Sequence, residues 1–77
     1  MARFIVNVMP KAEILDPQGQ AVQRALGRIG VEGVKDVRQG KRFEIEAEDS
    51  VTEEDIRKVA EKLLANTVIE EFRIEVQ

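Results

Sequence analysis

The chain has 77 residues, 35% of them charged, a formal net charge of −3, three Phe as its only aromatic residues, and neither Cys nor His. This length suits a single domain over residues 1–77, because a domain of this size buries only about 60% of its unfolded surface and two cores would leave each half too little. Without Cys or His there are no disulfides, zinc sites, thiol nucleophiles or imidazole bases, and oligomerisation is the remaining means of adding stability.

Charge is unevenly distributed. Residues 1–40 hold six Lys/Arg against four Asp/Glu, whereas residues 41–77 hold six against eleven. An acidic half lacking Trp and Tyr argues against a nucleic-acid surface, which needs a basic track and aromatic platforms. The apolar run Phe4 to Met9 is too short for a secretory signal, and no stretch approaches the length of a membrane span. The expectation is a soluble cytoplasmic protein with no membrane contact.

The first strand is predicted over Phe4 to Met9, with Phe4, Val6 and Val8 on one face and Ile5, Asn7 and Met9 on the other, ended by Pro10. Apolar residues on both faces place it centrally. Asp16-Pro17 is a helix start, the carboxylate capping free N–H groups and proline occupying the first helical position. Ala21, Val22, Ala25, Leu26 and Ile29 then form an apolar stripe. Gly27 within it would allow close approach of another element, and Gly30 stops the helix.

A second strand is predicted over Gly33 to Val37, turning at Gln39-Gly40 into a third over Phe43 to Glu48. A three-residue loop, the preferred reading, sets Val37 opposite Phe43, whereas a two-residue loop would set Arg42 opposite Val37. Thr52 and Asp55 form a capping box for the second helix, Val51 staples against Ile56, and Ile56, Val59, Ala60, Leu63 and Leu64 make its apolar stripe. Asn66 reads as a left-handed stop before a last strand with Phe72, Ile74 and Val76 inward. The order β-α-β-β-α-β implies an α+β, ferredoxin-like two-layer domain, with a four-stranded antiparallel sheet ordered 4-1-3-2 and two helices on one face.

No catalytic constellation is legible. Glu53, Glu54 and Asp55 suit a helix start, and Glu70 and Glu71 point to opposite faces of a strand. Gly27-Arg28-Ile29-Gly30 lacks the lysine and hydroxyl of a phosphate-binding loop. The basic group Lys35, Arg38, Lys41 and Arg42 reads as a solvated hairpin tip, with a protein contact as its functional alternative. Asn7, between Ile5 and Met9, needs a hydrogen-bond partner if that face is covered.

Three segments carry a resemblance: Leu15 to Leu26, Val34 to Lys41, and Glu61 to Phe72. Together they closely resemble the small S subunit of phosphoribosylformylglycinamidine synthase, in order and across nearly the whole chain. The resemblance implies a part in purine biosynthesis, where formylglycinamide ribonucleotide, ATP and glutamine become formylglycinamidine ribonucleotide, ADP, phosphate and glutamate. It implies a non-catalytic subunit, dimeric or a dimer of dimers, bridging a large synthetase subunit that uses ATP and Mg and a glutaminase subunit. No cofactor is expected in this chain itself. Residues and resemblance together nominate Ile5, Asn7, Met9, Asp16, Pro17, Gly19, Lys35, Arg38, Lys41, Arg42, Asn66 and Thr67 as assembly contacts. The alternative is a stand-alone regulatory domain of the same fold that binds a small effector.

Overall fold

The computed structural model of the chain describes residues 1–77. Strand β1 covers Ala2–Pro10, helix α1 Pro17–Arg28, strand β2 Lys41–Ala47, helix α2 Glu53–Val59 with a π-helical continuation over Ala60–Leu64, and strand β3 Glu70–Val76. The α+β character and the central place of β1 follow the sequence. β1 pairs antiparallel with both neighbours in the order β2-β1-β3, placing Val6 opposite Phe43 on one side and Ile74 on the other.

One face of this sheet makes the core. Phe4, Val6 and Val8 are buried there with Ile56, Ala60 and Ala65, and Phe43, Ile45, Phe72 and Ile74 pack around them half-buried. Helix α2 starts as its sequence dictates: the Thr52 hydroxyl accepts from the Asp55 N–H, and the Asp55 carboxylate accepts from the Thr52 N–H. Val51 packs against the same core as Ile56. Further along, the Ala65 N–H donates to the Ala60 carbonyl at 2.9 Å. This i→i+5 bond adds a residue to the turn and carries the chain out of α-helical phase. The predicted apolar stripe is corrected accordingly: Leu63 is 78% exposed, whereas Ala65 enters the core.

The predicted four-stranded sheet is also corrected, because three strands are present. Residues 31–40 join no ladder, so Val37 does not face Phe43, whose partner is Val6. Helix α1 departs from the predicted layer as well. It makes no substantial contact with any strand, whereas α2 and its continuation put Ile56 and Ala60 into the core. Most of the α1 apolar stripe is therefore bare: Val22 is 41% and Ile29 74% exposed. The chain accordingly measures 49 × 25 × 14 Å with a radius of gyration of 15.7 Å, against about 11–12 Å for a compact chain of this length. No helix is long and apolar enough to cross a membrane.

Gly30 ends α1 at φ +89°, as predicted, and Gly33 follows at +87°. Gly27 faces open space within the chain, with no close neighbour. Asn66 is not left-handed, since every positive φ belongs to glycine. Its side chain instead accepts from the Val68 N–H at 3.2 Å in a local turn.

Candidate functional site

The nominated residues separate into two regions, a waist between sheet and α1 and the charged outer face of the sheet. The waist is built around Asp16. As N-cap of α1 its carboxylate accepts from the Gly19 N–H at 2.9 Å and from the Gln39 N–H at 2.7 Å. Those two backbone donors, the Gln39 bond first, hold its pKa below the ordinary 3.8. Pro17 occupies the first helical turn beside it. Gly19 is buried because the chain passes so close: a Cβ there would run into the Val37 carbonyl oxygen and the Asp16 carboxylate. Gly40 is confined in the same way by Met9 Sδ and the Val8 carbonyl.

Arg38 closes the waist from the other side. Its guanidinium donates to the Pro10 carbonyl at 2.7 Å and the Lys11 carbonyl at 2.8 Å, with the Ala12 carbonyl at 3.5 Å. A planar guanidinium with several fixed donors suits a row of consecutive carbonyls, where a lysine ammonium would not. Gln23 on α1 then donates to the Val34 and Lys35 carbonyls at 3.3 and 3.1 Å, and Gln39 Nε2 to Gln18 Oε1 at 2.6 Å. Residues 34–39 are thus tied along α1, and the loop after β1 is tied to them.

The basic group is corrected by this geometry. No hairpin tip exists, and Arg38 is an internal clamp. Lys41 Nζ lies 3.7 Å from Glu70, and Arg42 Nε 3.2 Å from Glu44. Lys35 is exposed. Glu70 also accepts from the Asn66 N–H at 2.8 Å, and the exposed Thr67 sits in the turn that follows. An open groove at the waist is lined by Ile14, Leu15, Pro17, Gln39 and Ile69.

On the outer sheet face, register puts Ile5 between Glu44 and Glu75, Asn7 between Arg42 and Arg73, and Met9 beside Glu71. Arg3 pairs with Glu44 at 2.9 Å and Glu46 at 3.7 Å. Ile5 has no exposed surface, Asn7 is half-buried and Met9 is 37% exposed. Ile5 therefore lies beneath charged neighbours and offers no apolar surface of its own.

Sequence reasoning missed Gln23, Gln18 and Glu70. Gln23 read as polar surface because its partners lie eleven and twelve residues away, and no local pattern signals such a bond. No group of three Asp or Glu side chains converges as a metal site.

The sequence model of the PurS family, described as phosphoribosylformylglycinamidine (FGAM) synthase, matches residues 3–77. The chain is 61% identical over 74 residues to the phosphoribosylformylglycinamidine synthase subunit PurS of Mycobacterium leprae, covering 96% of this chain and 94% of that one. Its fold superposes on Bacillus subtilis PurS with a TM-score of 0.88 at 47% identity, over 100% and 99% of the two chains. A chain of the Thermotoga maritima PurLQS structure matches with a TM-score of 0.83 at 30% identity, over 99% and 96%. Methanocaldococcus jannaschii PurS, described as one of the subunits of formylglycinamide ribonucleotide amidotransferase in the purine biosynthetic pathway, gives 0.87 at 34%, over 100% and 96%. Matched from residue 3 to residue 77, the chain belongs to the PurS family of phosphoribosylformylglycinamidine synthase subunits.

Proposed function

We propose that this chain is the small, non-catalytic subunit of phosphoribosylformylglycinamidine synthase, joining the ATP-dependent synthetase subunit to the glutaminase subunit in purine biosynthesis. The observation that carries this reading is the family match over residues 3–77, with a relative matched over 96% of this chain and 94% of its own length. The likeness to a chain of the PurLQS structure supports a place in a three-component assembly. ATP and Mg belong, in this reading, to the large subunit. Glutamine hydrolysis belongs to the glutaminase, and all three work in the cytoplasm. This chain supplies shape and surface.

Self-association is part of the reading. A buried core of few side chains, an elongated shape and the bare stripe on α1 support a homodimer or a dimer of dimers. The four-stranded ferredoxin-like arrangement belongs to that assembled state. Co-purification of the native complex, with its subunits identified by mass, tests the function. Recovery of this chain with both larger subunits is the expected result. Its recovery free of both, together with tight binding of an amino acid or nucleotide, would favour a stand-alone regulatory domain.

A further inference from the structure

The outer face of the sheet divides in two by how its polar side chains are satisfied. On the β1–β2 side they pair with one another: Arg3 with Glu44 and Glu46, and Arg42 with Glu44. On the β1–β3 side Glu71, Arg73 and Glu75 make no ion pair, and the half-buried Asn7 carboxamide makes no hydrogen bond. Register gathers these groups. Arg73 lies opposite Asn7, and Glu71, two residues earlier on the same face, lies opposite Met9. Asn7, Met9, Glu71 and Arg73 line an open cleft of about 140 Å³. That is well below the roughly 300 Å³ or more of a pocket for a drug-sized ligand, so the cleft admits one small solute.

The lining groups specify the solute. Arg73 presents a planar fork of donors to a carboxylate and Asn7 adds a further N–H donor, whereas the Glu71 carboxylate only accepts and suits an ammonium. Glu71 and Arg73 stand about 7 Å apart along the strand, within reach of one small molecule for two such long side chains. A phosphate or dicarboxylate would be repelled by Glu71, and a simple amine by Arg73. A protein amino terminus brings no carboxylate and a carboxyl terminus no ammonium. A free α-amino acid carries both charges on one carbon. Met9, 37% exposed, offers a flexible thioether on which an unbranched side chain can lie. We infer that this cleft binds a free α-amino acid with an unbranched side chain, its carboxylate held by Arg73 and Asn7 and its ammonium by Glu71. The site is separate from the waist and goes beyond the subunit reading. Exposed ion pairs each contribute little, so the affinity is millimolar.

The test is a titration of the full chain, labelled with nitrogen-15, with L-norvaline, followed through the side-chain N–H signals of Asn7 and Arg73. Saturable shifts of both signals at millimolar norvaline are expected. Pentanoate, which lacks the ammonium, and butylamine, which lacks the carboxylate, each bind about fivefold more weakly, the most that one exposed ion pair contributes. Arg73→Gln and Glu71→Gln each weaken norvaline binding by the same factor, and Arg57→Gln on α2 leaves it unchanged. All three positions are exposed, so the fold survives, which circular dichroism verifies. Equal affinity for norvaline and pentanoate would reject the zwitterion and leave a plain carboxylate site. Equal norvaline affinity of the parent and Arg73→Gln would reject the assignment of residues. Absence of a saturable shift up to tens of millimolar norvaline would overturn the site altogether. Shifts of Asn7 and Arg73 produced by added synthetase or glutaminase subunit, and by no amino acid, would overturn it too and make this half of the face a protein contact.

Discussion

Gly19→Ala separates the close approach at the waist from helix propensity, because the two predict opposite signs. Gly19 lies within the first turn of α1, where alanine in place of glycine stabilises a helix by about 1 kcal/mol. The added Cβ would meet the Val37 carbonyl oxygen, a backbone atom that cannot rotate away, and would press on the Asp16 carboxylate. Relieving that overlap moves residues 37–39 off α1 and disturbs the Gln39 N–H bond to Asp16. Inserting a methyl into such a packed crossing costs about 1–3 kcal/mol, and the opened contacts add to it. The net expectation is a loss of about 1–2 kcal/mol. Gly27→Ala is the matched control, in the same helix but with open space around it within the chain, and gains up to about 1 kcal/mol. Urea unfolding by circular dichroism, at one fixed protein concentration because assembly shifts the midpoint, measures both. Equal stabilisation by the two alanines would refute the crossing.

Arg38→Ala removes two short charge-assisted bonds to the Pro10 and Lys11 carbonyls, and a loss of about 2 kcal/mol is expected in the same urea assay. Arg38→Lys recovers only part of it, since an ammonium lacks the planar fork. Thr52→Ala opens the capping box of α2 and lowers stability by about 1 kcal/mol. Asp16 and Asp55 both have pKa values held below 3.8 by hydrogen bonds, Asp16 from the Gln39 and Gly19 N–H groups and Asp55 from the Thr52 backbone and hydroxyl. Their stabilisation is complete above that unfolded value and is lost as pH falls through the lower folded value. Acid titration should therefore show a loss of stability below about pH 4 that is reduced in the Asp16→Asn/Asp55→Asn double variant.

Local chemistry made several elements legible in the sequence. Asp16-Pro17, the Thr52 and Asp55 box, and the two-sided apolar β1 each declare themselves within a few residues, and each stands as predicted. The departures have non-local causes. Val34 to Val37 has strand composition, yet its hydrogen-bonding groups find no edge within the chain, and Gln23 ties its carbonyls to α1 instead. Arg38 looked like one charge in a basic tip because its carbonyl partners lie 26 to 28 residues earlier. Leu63 kept its helical phase on paper and lost it to one π-turn. At the site, Gly19 stood out as a glycine inside a helix start, but only the fold shows that the Val37 carbonyl is what demands it.

Coupling of the two larger subunits is tested most directly by amidine synthesis by the large synthetase and glutaminase subunits, with glutamine or ammonia as nitrogen donor, in the presence and absence of this chain. Omitting the chain is expected to abolish glutamine-dependent turnover while ammonia-dependent turnover partly survives. Full glutamine-dependent turnover without the chain would contradict that coupling.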